Sequence, residues 1–189
     1  MEAELAVNDK ILFYKYLDNA TKYFEFGSGG STYQASLRKN IKQITSVESD
    51  IQWYTKMKQI INNANVELIY VEMYTIPNTW GFPGPNSKID NWVKYSNIIC
   101  EIDNSKKDID LVLIDGRFRV ACCLKCFNVV SDDCKIIFDD FLTRPYYHVV
   151  LNYYEIIDKT SNNRLVVLKK KNTVAPSREL IFKYEIIPQ

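Results

Sequence analysis

The chain has 189 residues, with 24 Lys+Arg against 23 Asp+Glu. That length suits one domain with a real core, and the charge balance gives no bulk electrostatic case for nucleic acid or an anionic membrane as partner. No apolar run approaches the roughly 18 residues of a membrane helix, and the mixed, acidic start "MEAELAVNDK" is unlike a secretory signal, so no membrane span and a cytoplasmic location are expected.

Apolar residues at helix spacing (Leu5, Ile11, Leu12, Tyr16, Leu17) predict an N-terminal helix over 4–19. A short strand follows over Lys22–Phe26 and runs into Gly27-Ser28-Gly29-Gly30, then a helix over 31–39. Residues 43–49 read as a second strand. Asp50 is placed to cap a helix over 50–64 whose apolar face holds Ile51, Tyr54, Met57 and Ile61. A third strand spans 66–73. Residues 74–90 hold three prolines and two glycines and read as a long loop, its aromatics Tyr74, Trp80 and Phe82 favouring an ordered, ligand-facing segment.

A helix over 91–102 leads to "DIDLVLIDG" (108–116), a nearly continuous apolar run of the kind buried on both faces of a sheet. The helix over 117–130 and the strand "CKIIFDDF" (134–141) repeat the design. Residues 144–154 read as helical, 154–171 as a hairpin around Ser161-Asn162-Asn163, and a last helix starts near Ser177. Alternating strands and helices predict an α/β, doubly wound, mostly parallel seven-stranded sheet with helices on both faces. One domain over 1–189 is expected, with its core at 20–170 and a C-terminal extension at 171–189. No internal repeat or low-complexity segment is evident.

Five cysteines are present, four of them between Cys122 and Cys134. Cys123-x-x-Cys126 lies on a helical face, with no second such pair and no histidine nearby, so small buried hydrophobes are expected rather than structural zinc.

In a doubly wound sheet, ligands bind beyond the carboxyl ends of the strands near the switch point. The first strand ends in the glycine turn, the second at Glu48, the fourth at Asp115 and the fifth at Asp139 and Asp140. Glu48 lies 21 positions after Gly27, where an acid can accept hydrogen bonds from ribose hydroxyls. Taken singly, the turn could be only tight and the acids only helix caps. Their collection at one sheet edge favours a nucleotide-like cofactor.

The pattern Glu25-x-Gly27-x-Gly29, followed by Ser31 and later by Glu48, resembles motif I and the ribose-binding acid of class I S-adenosylmethionine-dependent methyltransferases. The closing hairpin resembles their sheet, with its last strand antiparallel, and the resemblance covers residues 20 to 170. It implies a cofactor site of Glu25, Gly27, Ser28, Gly29, Ser31, Glu48 and Asp115. "IDGRFRVACCLKC" and "IIFDDFLTRPYYHVV" further resemble small sugar O-methyltransferases of the macrolide- and aminocoumarin-tailoring type, and the methyltransferase domains of large-virus glycan-building proteins. In the tailoring enzymes three aspartates at these strand ends hold a divalent metal; the matching residues here are Asp115, Asp139 and Asp140, suited to Mg²⁺ or Mn²⁺. Where those enzymes often place a general-base acid, this chain has Arg117.

The resemblance implies methyl transfer to a hydroxyl of a sugar or glycan. Asp115, Asp139, Asp140 and Arg117 are the catalytic candidates. Trp80, Arg117, Arg144 and His148 are the acceptor candidates. Arg119 has equal claims as an acceptor ligand or a surface ion pair, and other glycan-building domains are candidate partners. Two rivals share the architecture: an NAD(P)-dependent oxidoreductase, disfavoured by Thr32 at the third position of G-x-G-x-x-G, and a non-catalytic binding protein, disfavoured by the intact strand-end acids.

Overall fold

The computed structural model describes residues 1–102 and 108–189. Seven strands form one sheet: β1 (Lys22–Phe26), β2 (Gln43–Glu48), β3 (Val66–Tyr70), β4 (Leu111–Ile114), β5 (Lys135–Phe138), β6 (Tyr154–Lys159) and β7 (Val166–Lys170). Their spatial order is β3-β2-β1-β4-β5-β7-β6, with every pair from β3 to β5 parallel and β7 inserted antiparallel between β5 and β6. The order reverses between β1 and β4. In register, Phe26 lies beside Val47 and Ile114, and Ile114 beside Phe138, so the residues just after these strands emerge side by side.

The helices are α1 (Val7–Leu17), α2 (Gly30–Ser36), α3 (Ile51–Ile60), α4 (Ile89–Glu101), α5 (Arg119–Val129) and α6 (Arg178–Glu185). Strand side chains alternate between faces. Phe24, Phe26, Val112, Ile114, Ile136 and Phe138 face a core shared with Tyr95, Ile99, Ala121 and Leu124 of α4 and α5. Tyr23, Ile44, Leu111, Leu113 and Ile137 face a second core with Leu12, Phe13 and Leu17 of α1 and Ala35 of α2. The central strands are therefore buried on both sides, which is why β4 and β5 read as unbroken apolar runs.

Some local expectations change. Ile11 and Ile51, placed on apolar stripes by spacing, are 65% and 48% exposed, while Phe13 is fully buried. Of the expected α3 face, Met57 and Ile61 are buried and Tyr54 stacks on Tyr70. Residues 145–152 wind as a 3-10 helix rather than an α-helix, opened by Pro145. Cys122, Cys123, Cys126 and Cys134 are buried free thiols and Cys100 is exposed. Burial pushes the four buried thiols up, Cys134 to about 12, so they pack as neutral hydrophobes. Among the described residues, no helix is long and apolar enough to cross a membrane.

The C-terminal helix is fastened by charge. Ser177 caps α6 by accepting from the Leu180 N–H, and Glu185 at its far end is buried against Lys125 of α5 at 2.5 Å. The Ser96 hydroxyl of α4 donates to the same carboxylate at 2.8 Å. Glu185→Ala would leave the Lys125 charge buried without a counter-ion, its ammonium still donating to the Asn97 side chain. We expect a loss of about 3–5 kcal/mol, read from denaturant unfolding; a change below 1 kcal/mol would mean that α6 docks without this pair.

Candidate active site at the carboxyl edge of the sheet

A cleft of about 800 Å³ opens at the point where the strand order reverses. Its floor is the turn after β1. Gly27 has φ +95°, and a Cβ there would come within 2.9 Å of Gly116 Cα and N; one on Gly116 would come within 2.1 Å of the Tyr95 hydroxyl oxygen. These two glycines let the turns after β1 and β4 touch back to back. Gly30 is closed for another reason: the backbone of Glu2 and Ala3 lies across it. Residues 3–5 thus form part of the cleft wall. At Gly29 a Cβ would meet only ordinary contact, with Trp53 Nε1 at 3.8 Å.

Two acids set the turn. Glu25 is fully buried beneath it, accepting from the Tyr23 hydroxyl at 2.7 Å and from the Thr32 hydroxyl. It does not line the cleft, so it shapes the glycine turn from below, and burial raises its pKa. Glu48 does line the cleft. Its Oε2 accepts from the Ser28 N–H (3.2 Å) and hydroxyl (2.9 Å), and its Oε1 from the Ser49 (2.6 Å) and Asp50 (2.8 Å) N–H groups. Four donors fill the roughly four lone-pair sites of a carboxylate. Asp50 caps α3 as expected, accepting from the Gln52 and Trp53 N–H groups. The Trp53 indole N–H donates to the Ser28 carbonyl at 2.7 Å, pinning the turn to α3.

Asp115, Asp139 and Asp140 converge on the other side of the cleft. Asp140 has φ +58°, the sharp turn that lets two adjacent carboxylates face one centre. That centre is occupied by arginines. Arg119 lies within 3.0 Å of Asp115, 3.5 Å of Asp139 and 3.6 Å of Asp140. It also donates to the carbonyls of Gly116, Asp115 and Asp139. Arg144 pairs with Asp140 at 2.6 Å, and Arg164 with Asp140 at 3.0 Å and Asp139 at 3.4 Å.

The three aspartates expected to hold a metal ion are here paired with arginines. Three guanidiniums supply positive charge at this point, and between them they pair with all three aspartates. Among the described residues no group of three His, Cys, Asp or Glu could hold a metal ion. Arg119 is neither a surface ion pair nor a free acceptor ligand; it is 8% exposed and joins the ends of β4 and β5. Asp139 Oδ1 remains buried without a hydrogen-bond partner. The Asp115 carboxyl, a third exposed to the cleft, is pushed up to about 7, chiefly by burial, then by Asp139 and Asp140 against the opposing pull of Arg119.

The long loop stands over this cluster. The Arg117 guanidinium donates from Nε to the Trp80 carbonyl (2.9 Å) and from Nη2 to the Thr79 carbonyl (3.1 Å). Trp80 lies at the cleft rim, 80% exposed, with φ +57°. Trp80, Arg117 and Arg144 therefore come together at the cleft, as expected, along with Gly27, Ser28, Gly29, Ser31 and Glu48. His148 does not join them: its ring stacks on Phe141 at 5.3 Å and its Nε2 is buried without a partner. Trp53, Tyr95 and Arg164 also line the cleft and were not singled out by spacing. For Arg164 no local signal existed, because it arrives from the hairpin.

No protein-family model matches the chain, and no curated protein matches it in sequence. Solved structures do. A methyltransferase-like protein from Silicibacter pomeroyi superposes with a TM-score of 0.84 at 25% identity, over 99% of this chain and 98% of that one. A tRNA methyltransferase from B. subtilis gives 0.55 at 11% identity, over 90% of this chain and 68% of that one. A ribosomal-protein methylase from Lactobacillus delbrueckii gives 0.58 at 13%, over 90% and 82%. The chain has the class I methyltransferase fold. Proteins of that fold include enzymes named for RNA and for protein, so the fold leaves the acceptor open and lends no support to excluding nucleic acid.

The raised Asp115 pKa has a sign that can be tested. An acid titrating near 7 when folded and near 3.9 when unfolded binds its proton more tightly in the folded state. Its contribution to stability is therefore full below about pH 4 and is lost as pH rises through 7. The unfolding midpoint should fall over that window, and Asp115→Asn should flatten the slope; an unchanged slope in the variant would clear Asp115 of the effect.

Proposed function

We propose that the protein is an S-adenosylmethionine-dependent O-methyltransferase acting on a hydroxyl of a sugar or glycan, without a metal ion. The observation that carries this reading is one cleft with a glycine turn and Glu48 on one side and an ionisable carboxyl, Asp115, on the other. The methyltransferase fold and the relative at 25% identity support it. S-adenosylmethionine, when bound, supplies an electrophilic methyl group.

The chain's own residues do the rest. Gly27, Ser28, Gly29 and Ser31 give the cofactor a close backbone approach, and Trp53 holds that turn in place. Glu48 takes a ribose hydroxyl. Its lone pairs are filled, so the Ser28 hydroxyl, a free rotor, yields its place to a ribose O–H. Trp80 offers a face for a sugar ring, and Arg117 and Arg144 offer forked donors to acceptor oxygens. Asp115 accepts the acceptor's hydroxyl proton, since a base with a pKa near 7 matches neutral operation. Arg119 holds that carboxylate in place, and Asp139 and Asp140 keep Arg119 fixed.

Glu48→Ala should weaken S-adenosylhomocysteine binding by about 1.5–3 kcal/mol by calorimetry, the range for hydrogen bonds to a charged group. Ser28→Ala should retain affinity. Equal losses in both would show that Glu48 acts only by bracing the turn. Initial rates with a methyl-acceptor panel of free and linked sugars should rise with pH up to about 7 and survive exhaustive chelation. Activity that disappears in chelator and returns with Mg²⁺ would overturn the metal-free assignment.

A further inference from the structure

Arg119, Arg144 and Arg164 each meet a carboxylate within 4 Å, and Asp9 adds its field to Arg164. Arg117 meets none among the described residues. Its guanidinium donates to the carbonyls of Thr79 and Trp80 through Nε and Nη2 and lies over the Phe82 ring at 5.7 Å, and among the described residues Nη1 has no hydrogen-bond partner. Two of its close charged neighbours, Arg119 and Arg144, carry the same sign. The side chain is half-buried in the cleft wall, and burial disfavours its charge. A partly desolvated cation without a counter-ion is costly unless something supplies the missing charge. The two carbonyls spend part of the fork on holding the loop but neutralise nothing. Arg144 lies on the same cleft with 38% of its side chain exposed.

We propose that the acceptor carries an oxyanion, a phosphate or a carboxylate, bound by Arg117 together with Arg144. The proposal rests on the methyl-transfer reading of the cleft and narrows its acceptor to a charged sugar, either phosphorylated or a uronic acid. Guanidinium forks match both groups, whereas a neutral sugar leaves Arg117 with the Phe82 ring and two carbonyls but no counter-ion. The anion also completes the loop. With Arg117 neutralised, the carbonyls of Thr79 and Trp80 remain its anchors, so binding of charge and seating of Trp80 occur through one side chain.

The test is calorimetric titration of the full chain with inorganic phosphate, glucuronate and glucose, each with and without saturating S-adenosylhomocysteine. At least one anion should bind and glucose at the same concentration should not; the tighter anion identifies the source. Arg117→Gln should weaken that anion roughly tenfold or more, the size of a lost charged hydrogen bond, and Arg117→Lys should weaken it less. In the wild-type chain the Arg117 Nε–H resonance should shift on adding the anion, which reads the site even if the Gln variant folds poorly. Silence from both anions, an unmoved Arg117 resonance, or unchanged affinity in a folded Arg117→Gln chain would overturn the proposal. So would competitive displacement of phosphate by S-adenosylhomocysteine, which would assign Arg117 to the cofactor's own carboxylate. Failure of S-adenosylhomocysteine to bind would overturn the methyl-transfer reading alone, because the anion titration without it still reads the Arg117 site.

Discussion

Two parallel strands that end side by side in carboxylates pose an electrostatic problem. Asp115 follows β4, Asp139 and Asp140 follow β5, and like charges this close disfavour one another unless a cation separates them. Arg119 is that cation. Its position as the first residue of α5 is set by the short turn after β4, in which Phe118 adopts φ +53°. From there it reaches three carboxylates and three main-chain carbonyls. The cleft's far wall, the start of α5 and the turn after β5 all hang on one side chain. A lysine could supply the charge but not the planar fork that spans both strand ends.

The near wall is built differently, from backbone. Glu48 gathers N–H groups from the glycine turn and from the entry to α3, and Trp53 returns a hydrogen bond to that turn. Its rigidity comes from saturated hydrogen bonding and from close glycine contacts, where the far wall relies on opposed charges. One side of the cleft thus gathers backbone N–H groups around a single carboxylate, and the other is held by opposed charges.

Much of this could be read from the sequence because the central strands are simple. β4 and β5 are buried on both faces, so each is an apolar run that stops where the sheet stops, and the acids after them mark one edge without ambiguity. The helices were harder. α1 and α3 bury only a narrow stripe each, Leu12, Phe13 and Leu17 on α1 and Met57 on α3, so spacing alone assigned Ile11 and Ile51 to faces that water reaches. The aspartate cluster was legible as a cluster but not as an ion-paired one. Arg119 lies close in sequence, yet its burial depends on the C-terminal ends of two strands meeting it. Arg164 comes from the turn between β6 and β7, 24 residues beyond Asp140, and no local pattern links them. Glu25 fits the sequence motif but spends its carboxylate under the turn on Tyr23 and Thr32.

The contact between Gly27 and Gly116 has a consequence for how this chain can drift. A side chain at position 27 meets the backbone of 116, and one at 116 meets the backbone around 27 and the Tyr95 hydroxyl. The two positions are 89 residues apart in sequence and sterically one site. A methyl group at either pushes β1 and β4 apart at the end where the cleft begins, and no substitution at the other can make room, since glycine is already the smallest residue. Neither of the two positions can therefore compensate for a side chain at the other. The cleft's floor is thus fixed by two glycines that must stay glycine together.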